Sequence, residues 1–434
     1  MTATVLVLTV GTGKADDLEG SLLAPLRKSI AHGKWDEVVL LPSQMTGDAA
    51  RIIKNEMGDR VTISPLPRPG LEDNPDACFT HFDGVLAKLL QSRGADRIGI
   101  DITRGTKVMS AALLLASYRR GIPRIRYITG DRDQQGMVKK NTEKIVEFPT
   151  TGIATARRLD RARALMHAGQ FAACLSMLSD QAKPGTATAW PSGSADDRAY
   201  ASTLARFYSA WDRLDYAGAR DETKTVLEFI PSGDWATFHP SDDALLWVQS
   251  LAQLRDPGDH AAMAEHLRLL SADLLANGER RLRDRHYEDA LIRAYRVLEL
   301  IGQFRLFDQG LDSAALPPDH PAVIETQRYI ERRKDSGFGI GKKGLLTAGR
   351  LQAARLLRTL EDPFGERLIQ LGENPNFAFR GRNRSVLIHG FQAAKAKDVE
   401  KVFPPVCELL LQDHNNNNAR RNLAIARFPD FTSH

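Results

Sequence analysis

Cysteine is scarce in this chain. Three residues in 434, Cys78, Cys174 and Cys407, lie far apart and form no Cys-x-x-Cys pair. Zinc ribbons and thioredoxin-like redox centres are thereby excluded, and an odd, sparse count fits a reducing compartment. Long apolar runs are also missing: none approaches the ~18 residues that a membrane span needs. The early run from Val5 to Val10 has no basic segment before it and passes at once into glycine and polar residues, which argues against a signal peptide. The expectation is a soluble cytoplasmic protein with no membrane partner. Neither sign of charge dominates. Lys+Arg is 59 and Asp+Glu is 54, net +5, a mild excess that permits an anionic partner without requiring one. Hydrophobic residues at 42% and charged residues at 26% are ordinary globular values. Disordered, coiled-coil, collagen and disulfide-scaffold classes drop out, and the length implies two or three domains at ~100–200 residues each.

The first 150 residues alternate short apolar runs with amphipathic stretches. Thr4–Val10, Glu37–Leu41, Val61–Leu66, Arg97–Ile102 and Arg124–Thr129 read as strands. Leu18–Ala31, Gly47–Met57, Asp76–Gln91 and Lys107–Arg119 read as helices between them. Buried strands rich in β-branched residues, alternating with helices, imply a parallel sheet covered on both faces. This is a Rossmann-like α/β domain over residues 1–150, with its ligand site at the carboxyl ends of the strands. From 151 to 434 the strand signal fades and an all-α domain is expected. Ala156–Leu178, Asp197–Tyr216, Ala244–Leu254, His260–Asn277, Tyr287–Leu306 and Lys401–Gln412 carry leucine and alanine at helical spacing. The segments starting at Leu165 and Leu282 resemble turns of helical hairpins. Lys183–Ser194, Asp335–Lys343 and the tract Asn415–Asn418 read as loops.

Two loops of the first domain carry candidate chemistry. Gly11-Thr12-Gly13-Lys14 follows the first strand. Neither the Walker spacing nor the dinucleotide Gly-x-Gly-x-x-Gly is satisfied, since Ala15 and Asp16 stand at the decisive positions. A small-residue turn remains, either simply tight or offering its N–H groups to a ligand. Asp101-Ile-Thr-Arg-Gly-Thr-Lys-Val-Met109 is more informative. It leaves the fourth strand and enters an apolar helix. Thr103, Gly105 and Thr106 place hydroxyls and N–H groups at a helix N-terminus, a natural phosphate site. Lys107 is disfavoured there by the helix dipole, which hints at an anion. Helix capping by Thr103 or Thr106, with Lys107 solvated, is compatible with that role, and Asp101 is expected to cap or orient the loop.

These two segments together, Thr9-Val10-Gly11-Thr12 and Asp101–Lys107, resemble the CARF domain, the CRISPR-associated Rossmann fold. The resemblance implies that the loops bind cyclic oligoadenylate across a dimer, as an allosteric activator rather than a cofactor. Thr103, Gly105, Thr106 and Lys107 match the family's ligand loop, and Thr9, Gly11 and Thr12 match the first loop.

In the helical half, Arg380-Gly-Arg-Asn-Arg-Ser-Val-Leu-Ile-His389 gathers three arginines and a histidine within ten residues. On a helix, Arg382 and His389, seven positions apart, share a face ~10 Å apart along the axis. Arg384 points substantially elsewhere. Arg382-Asn383 followed by His389 resembles the HEPN ribonuclease motif. Behind a CARF-like domain it resembles the ancillary ribonucleases of type III CRISPR systems. The resemblance implies a cyclic-oligoadenylate-activated endoribonuclease of antiviral defence acting on single-stranded RNA, with Arg382, Asn383 and His389 catalytic. The chemistry fits those residue types. Histidine moves a proton near neutral pH, and an always-charged arginine stabilises a phosphorane. No metal-ligand cluster or cofactor motif is visible in the sequence, so a metal-independent reaction is expected, giving 2′,3′-cyclic phosphate and 5′-hydroxyl ends. One Arg–His pair per chain implies a homodimer. A solvated basic face, with His389 capping a helix before Gly390, is the competing structural account. A nucleotide-sensing regulator without nuclease activity and a CARF ring nuclease that degrades its own activator are the rival functions. His81, His167, His266 and His286, Trp211-Asp212 and Arg293–Glu299 are expected to be structural.

Overall fold

A computed structural model describes residues 4–13, 16–131, 138–139, 142–149, 151–179, 195–231, 233–373, 393–413 and 416–428. The chain divides into two compact units, Met1–Leu165 with Ala173–Ser202, and Met166–Ala172 with Thr203–His434.

The first unit is built on a six-stranded sheet. Its strands are β1 (Val5–Val10), β2 (Glu37–Pro42), β3 (Val61–Ile63), β4 (Ile98–Asp101), β5 (Arg124–Thr129) and β6 (Lys144–Pro149), in the order β3-β2-β1-β4-β5-β6. β1 to β5 pair in parallel and β6 runs antiparallel to β5. Side chains alternate across β1. Leu6, Leu8 and Val10 join the core under α1 (Ala24–Ala31, entered through a π-helical turn at Glu19–Leu23) and α2 (Gly47–Met57). Val5 and Val7 face the opposite core under α3 (Pro75–Ser92) and α4 (Lys107–Arg119). The expected α/β Rossmann-like layer is therefore present. Its direction of strand order reverses between β1 and β4, where open α/β sheets bind ligands.

The strand β6 was not expected. Its Lys-Ile-Val-Glu-Phe-Pro sequence carries charge on an edge strand, and Lys144 and Glu147 are exposed, as edge strands require to avoid foreign pairing. That charge dilutes the apolar signal by which buried strands are read.

Beyond the sheet, α5 (Thr151–His167) and α6 (Phe171–Leu178) replace the single expected helix. The break falls at the hairpin-like turn, where Gly169 has φ +70°. The helical unit holds most of α7 (Ala195–Asp212), then α8 (Tyr216–Glu228), α9 (Asp242–Ala252), α10 (His260–Arg283), α11 (Tyr287–Asp308), α12 (Pro321–Arg332), α13 (Arg350–Thr359) and α14 (Pro363–Glu373). It ends with α15 (Ala396–Glu400), α16 (Phe403–Leu411) and α17 (Asn416–Ala426). Within the stretch read as the loop Asp335–Lys343, Gly339–Ile340 pairs with Leu346–Thr347 in a small antiparallel hairpin, β7 and β8, an addition to the otherwise helical unit. The asparagine tract enters α17 rather than forming a loop alone. Asparagine is a weak helix former, so its composition masked the helix. Lys183–Ser194 lies outside the described residues.

Several buried charged groups of the helical unit are paired with one another. Asp273 is fully buried on α10 and accepts from Trp211 Nε1 (2.7 Å), Tyr216 OH (2.7 Å) and Trp247 Nε1 (3.2 Å). Desolvation pushes its carboxyl above the ordinary range, opposed first by the Arg280 charge. Arg280 donates to Asp212 Oδ1 (2.9 Å) and the Ala426 carbonyl (2.9 Å), and its guanidinium lies 3.8 Å from the Phe428 ring centroid. A second set joins Arg305 to Asp362 (2.5 Å) and Asp413 (3.1 Å), and Arg268 to Asp413 (2.6 Å) and Asp308 (2.5 Å). Buried polar groups of this kind must be satisfied internally.

Candidate functional site

The loops read from the sequence converge at the switch point. Gly11 leaves β1 so close to Gly105 that a Cβ on Gly11 would lie 2.6 Å from the Gly105 Cα. Gly105 has φ +156°, and a Cβ there would meet Thr9 Oγ1 at 2.8 Å. Glycine at both positions is thus a condition for the two loops to touch. The Thr9 hydroxyl donates to the Arg104 carbonyl. Thr9 is fully buried, so it ties the first loop to the second and does not face solvent. Thr12 is exposed beside it.

Each residue of the second loop has a distinct place. Asp101, buried at the end of β4, accepts the Thr103 N–H through Oδ1 at 2.8 Å. Its Oδ2 takes the Ser29 hydroxyl and lies 3.4 Å from Arg126 Nε. Arg126 is itself buried, stacks 5.0 Å over the Trp35 ring, and donates to the carbonyls of Ser29 and His32 at the end of α1. A buried charge pair with further hydrogen bonds holds the root of the loop, as the sequence expected of Asp101. Thr103 Oγ1 accepts the Ile128 N–H at 2.8 Å. Thr106 caps α4 by accepting the Met109 N–H at 3.1 Å, and its hydroxyl donates to the Glu72 carbonyl at 2.8 Å. Lys107 is exposed at the first turn of α4. The threonines thus shape the loop, while Thr12, Lys107 and the free N–H groups at the head of α4 are open to an anion.

Arg104 is the residue that motif reading passed over. Its side chain is partly buried, its Nε is buried without a hydrogen-bond partner, and it forms no salt bridge among the described residues. Burial pulls its guanidinium below the ordinary arginine value, with the charges of Asp101 and Glu143 opposing. A half-desolvated cation without a close carboxylate, set at a switch point, suits an incoming anion. The signal was present in the sequence: Arg104 stands inside the motif between Thr103 and Gly105.

The second candidate set, Arg382, Asn383 and His389, lies outside the described residues, as does Arg384. Three of the residues expected to be structural make packing or hydrogen-bond contacts. His81 Nε2 lies 3.2 Å from the Ser64 carbonyl, the His167 ring packs at 4.8 Å on Phe238, and Arg293 Nε donates to Asn277 Oδ1 at 2.5 Å. The thiols hold no disulfide, and burial pushes Cys78 up to about 11 and Cys174 to about 12, which keeps them protonated. Among the described residues, no helix is long and apolar enough to cross a membrane.

A doubly wound sheet whose loops meet at the switch point, followed on the same chain by a helical unit, is the α/β-then-α architecture expected from the sequence. The particular likeness is to Csm6. Residues 260–413 match the family model described as the Csm6 HEPN domain. The chain is 26% identical over 348 residues to the CRISPR system endoribonuclease Csm6 of Thermus thermophilus, covering 75% of this chain and 71% of that protein. Its fold matches Enterococcus italicus Csm6 bound to cyclic hexa-2′-fluoro-hexa-dAMP, with a TM-score of 0.53 and 12% identity, over 98% of this chain and 100% of that one. The family-model and sequence likenesses agree with the family resemblance stated for the sequence, and the structural likeness agrees with the fold.

Proposed function

We propose that this protein is a cytoplasmic, cyclic-oligoadenylate-activated endoribonuclease of CRISPR antiviral defence, cutting single-stranded RNA without a metal ion. The observation that carries the reading is that the stretch matched by the Csm6 HEPN model, residues 260–413, encloses Arg382, Asn383 and His389. The curated relative is named an endoribonuclease and the solved neighbour binds a cyclic oligoadenylate analogue, which supports both halves.

In this mechanism the 2′-hydroxyl attacks the adjacent phosphorus and the bond to the 5′-oxygen breaks. His389 takes the proton from the nucleophile or returns one to the leaving oxygen. Arg382 stabilises the charge of the phosphorane, and Asn383 holds the arginine–histidine geometry. The products are a 2′,3′-cyclic phosphate and a 5′-hydroxyl. A two-fold homodimer brings two Arg–His sets into one cleft. It also sets two switch-point loops, each with Thr12, Arg104, Thr106 and Lys107, against one cyclic activator.

The test is a labelled RNA strand with cyclic tetra- or hexa-adenylate. Cleavage is expected only with one of these activators, in the presence of EDTA, and not on DNA. Strict dependence on magnesium or manganese overturns the metal-independent mechanism, and cleavage indifferent to activator overturns the sensing role. Light scattering that finds a stable, fully active monomer overturns the dimer.

A further inference from the structure

A cleft of about 550 Å³ opens in the first unit at the carboxyl-terminal end of α4, ~16 Å along that helix from Lys107 by the rise of 1.5 Å per residue. It is therefore separate from the switch-point loop at the other end. Phe79, Tyr118 and the 58%-exposed Leu115 give it an aromatic and apolar surface. Arg119, Arg157 and Arg161 also line it, and no carboxylate does. Arg157 and Arg161 are exposed, lie four residues apart on α5, and have no carboxylate partner among the described residues. The Arg157 guanidinium sits 5.0 Å from the Tyr118 ring centroid, and that of Arg119 5.8 Å from Phe79. Asp83 is shared, Arg119 reaching it at 2.7 Å and Arg120 at 2.5 Å, and Asp160, between Arg157 and Arg161 on α5, pairs with Arg163 at 3.3 Å. Arg158 donates to the carbonyls of Met177 and Ser179, so it anchors α6.

We infer that this arginine-rimmed cleft is a second nucleic-acid site, which holds a segment of single-stranded RNA with a base against Tyr118 or Phe79 and phosphates on Arg157 and Arg161. Aromatic faces that accept any base, flanked by cations that follow the backbone, are what sequence-tolerant single-strand binding needs. The volume falls within the ~300–1,000 Å³ of small-ligand pockets, which suits one nucleotide of a longer strand. The choice of RNA among polyanions rests on the proposed ribonuclease activity, while the excess of positive charge does not. Such a site would raise the local concentration of substrate away from the cutting centre.

The experiment uses the full chain and a fluorescent 2′-O-methyl RNA strand, which cannot be cut by its own 2′-oxygen, so binding is read whether or not the cleavage mechanism is right. Arg157→Ala/Arg161→Ala is expected to weaken binding about ten-fold. It should also lower the slope of log affinity against log salt by about 1.4, at ~0.7 per phosphate for single strands. Tyr118→Leu should weaken binding at unchanged salt slope. Cyclic oligoadenylate affinity, measured in parallel, should not move in the arginine double variant. Unchanged RNA affinity and slope overturn the site. So does a double variant whose particle mass falls while RNA affinity holds, because the face would then be a contact between copies of the chain. An equal loss of activator affinity also overturns it.

Discussion

In the first unit, polar side chains gather at the open ends of β1 and β4, and several keep capacity for a ligand. Lys107 is exposed and Arg104 Nε is buried without a partner. In the helical unit, charged groups are sealed inside the bundle, and Asp273 and Arg305 have their partners within it. Both arrangements bury charge, yet they differ in what the charge waits for. The strand ends of a parallel sheet leave loops free to reach one another without packing against a further layer. A helix interior has no such free backbone, so a buried carboxylate there must find side-chain donors. Substitutions should therefore cost binding at the first place and stability at the second.

The largest effect is expected where chemistry is proposed. His389→Ala and Arg382→Ala should each lower RNA cleavage by at least ~100-fold, the scale of a lost acid–base or oxyanion-stabilising group, with activator affinity unchanged by calorimetry. Arg384→Ala should do less. Equal loss there would move the catalytic arginine by two positions while leaving the ribonuclease reading intact.

Next is Asp273→Ala. It strands two indole N–H groups and a tyrosine hydroxyl inside the bundle, and a buried donor left without its acceptor costs about 1–3 kcal/mol. Chemical denaturation should show it, with Asp273→Asn losing less because one acceptor survives. If Asp273→Ala leaves stability intact, the contrast between the two units fails.

Arg104→Ala or Lys107→Ala should instead reduce cyclic oligoadenylate affinity by about ten-fold or more, since a hydrogen bond to a charged group contributes ~1.5–3 kcal/mol. The melting temperature should hold. Thr106→Ala separates the two roles, because loss of its cap should also destabilise α4 by about 1 kcal/mol. Unchanged activator affinity in all three variants removes the switch-point assignment.

The smallest effect concerns acid. The hydrogen bond from Arg120 holds the Asp83 carboxyl below its ordinary 3.8, with burial opposing and Arg119 adding to the lowering. A depressed carboxyl stabilises the fold fully above the ordinary value and less as pH falls through the folded one. Asp83→Asn should remove that acid-side slope in a pH series of melting curves, at a loss near neutrality of at most about 1 kcal/mol. A slope that persists in Asp83→Asn assigns it to other groups.

Much of the first unit was legible because its strands are buried on both faces. Runs such as Val5–Val10 and Val38–Pro42 are almost wholly apolar, and five of the six strands were read within a few residues. β6 escaped because its edge position admits Lys144 and Glu147. In the helical unit, α10 and α11 carry enough leucine and alanine to be read. α12, α13 and α14 are about half as long, so fewer turns carry the repeat by which a helix is read. The Arg382–His389 motif proposed as catalytic is a pattern of residue types and spacing, and it lies outside the described residues. Arg104 was not singled out, because its importance depends on burial, which a motif does not encode.

What the sequence by itself determined are the local features: alternating apolar runs, a threonine cap at 103 or 106, the glycines at 11 and 105, and the Arg382–His389 spacing. These depend on φ/ψ preference and on residues within a turn or two of one another. Only the tertiary structure decided that Gly11 meets Gly105, that Asp101 reaches back to Ser29 and Arg126, and that Trp211, Tyr216 and Trp247 converge on Asp273. Those partners stand tens of residues apart. Contacts at such separations are set by how the layers pack, and they leave no periodic trace in the chain.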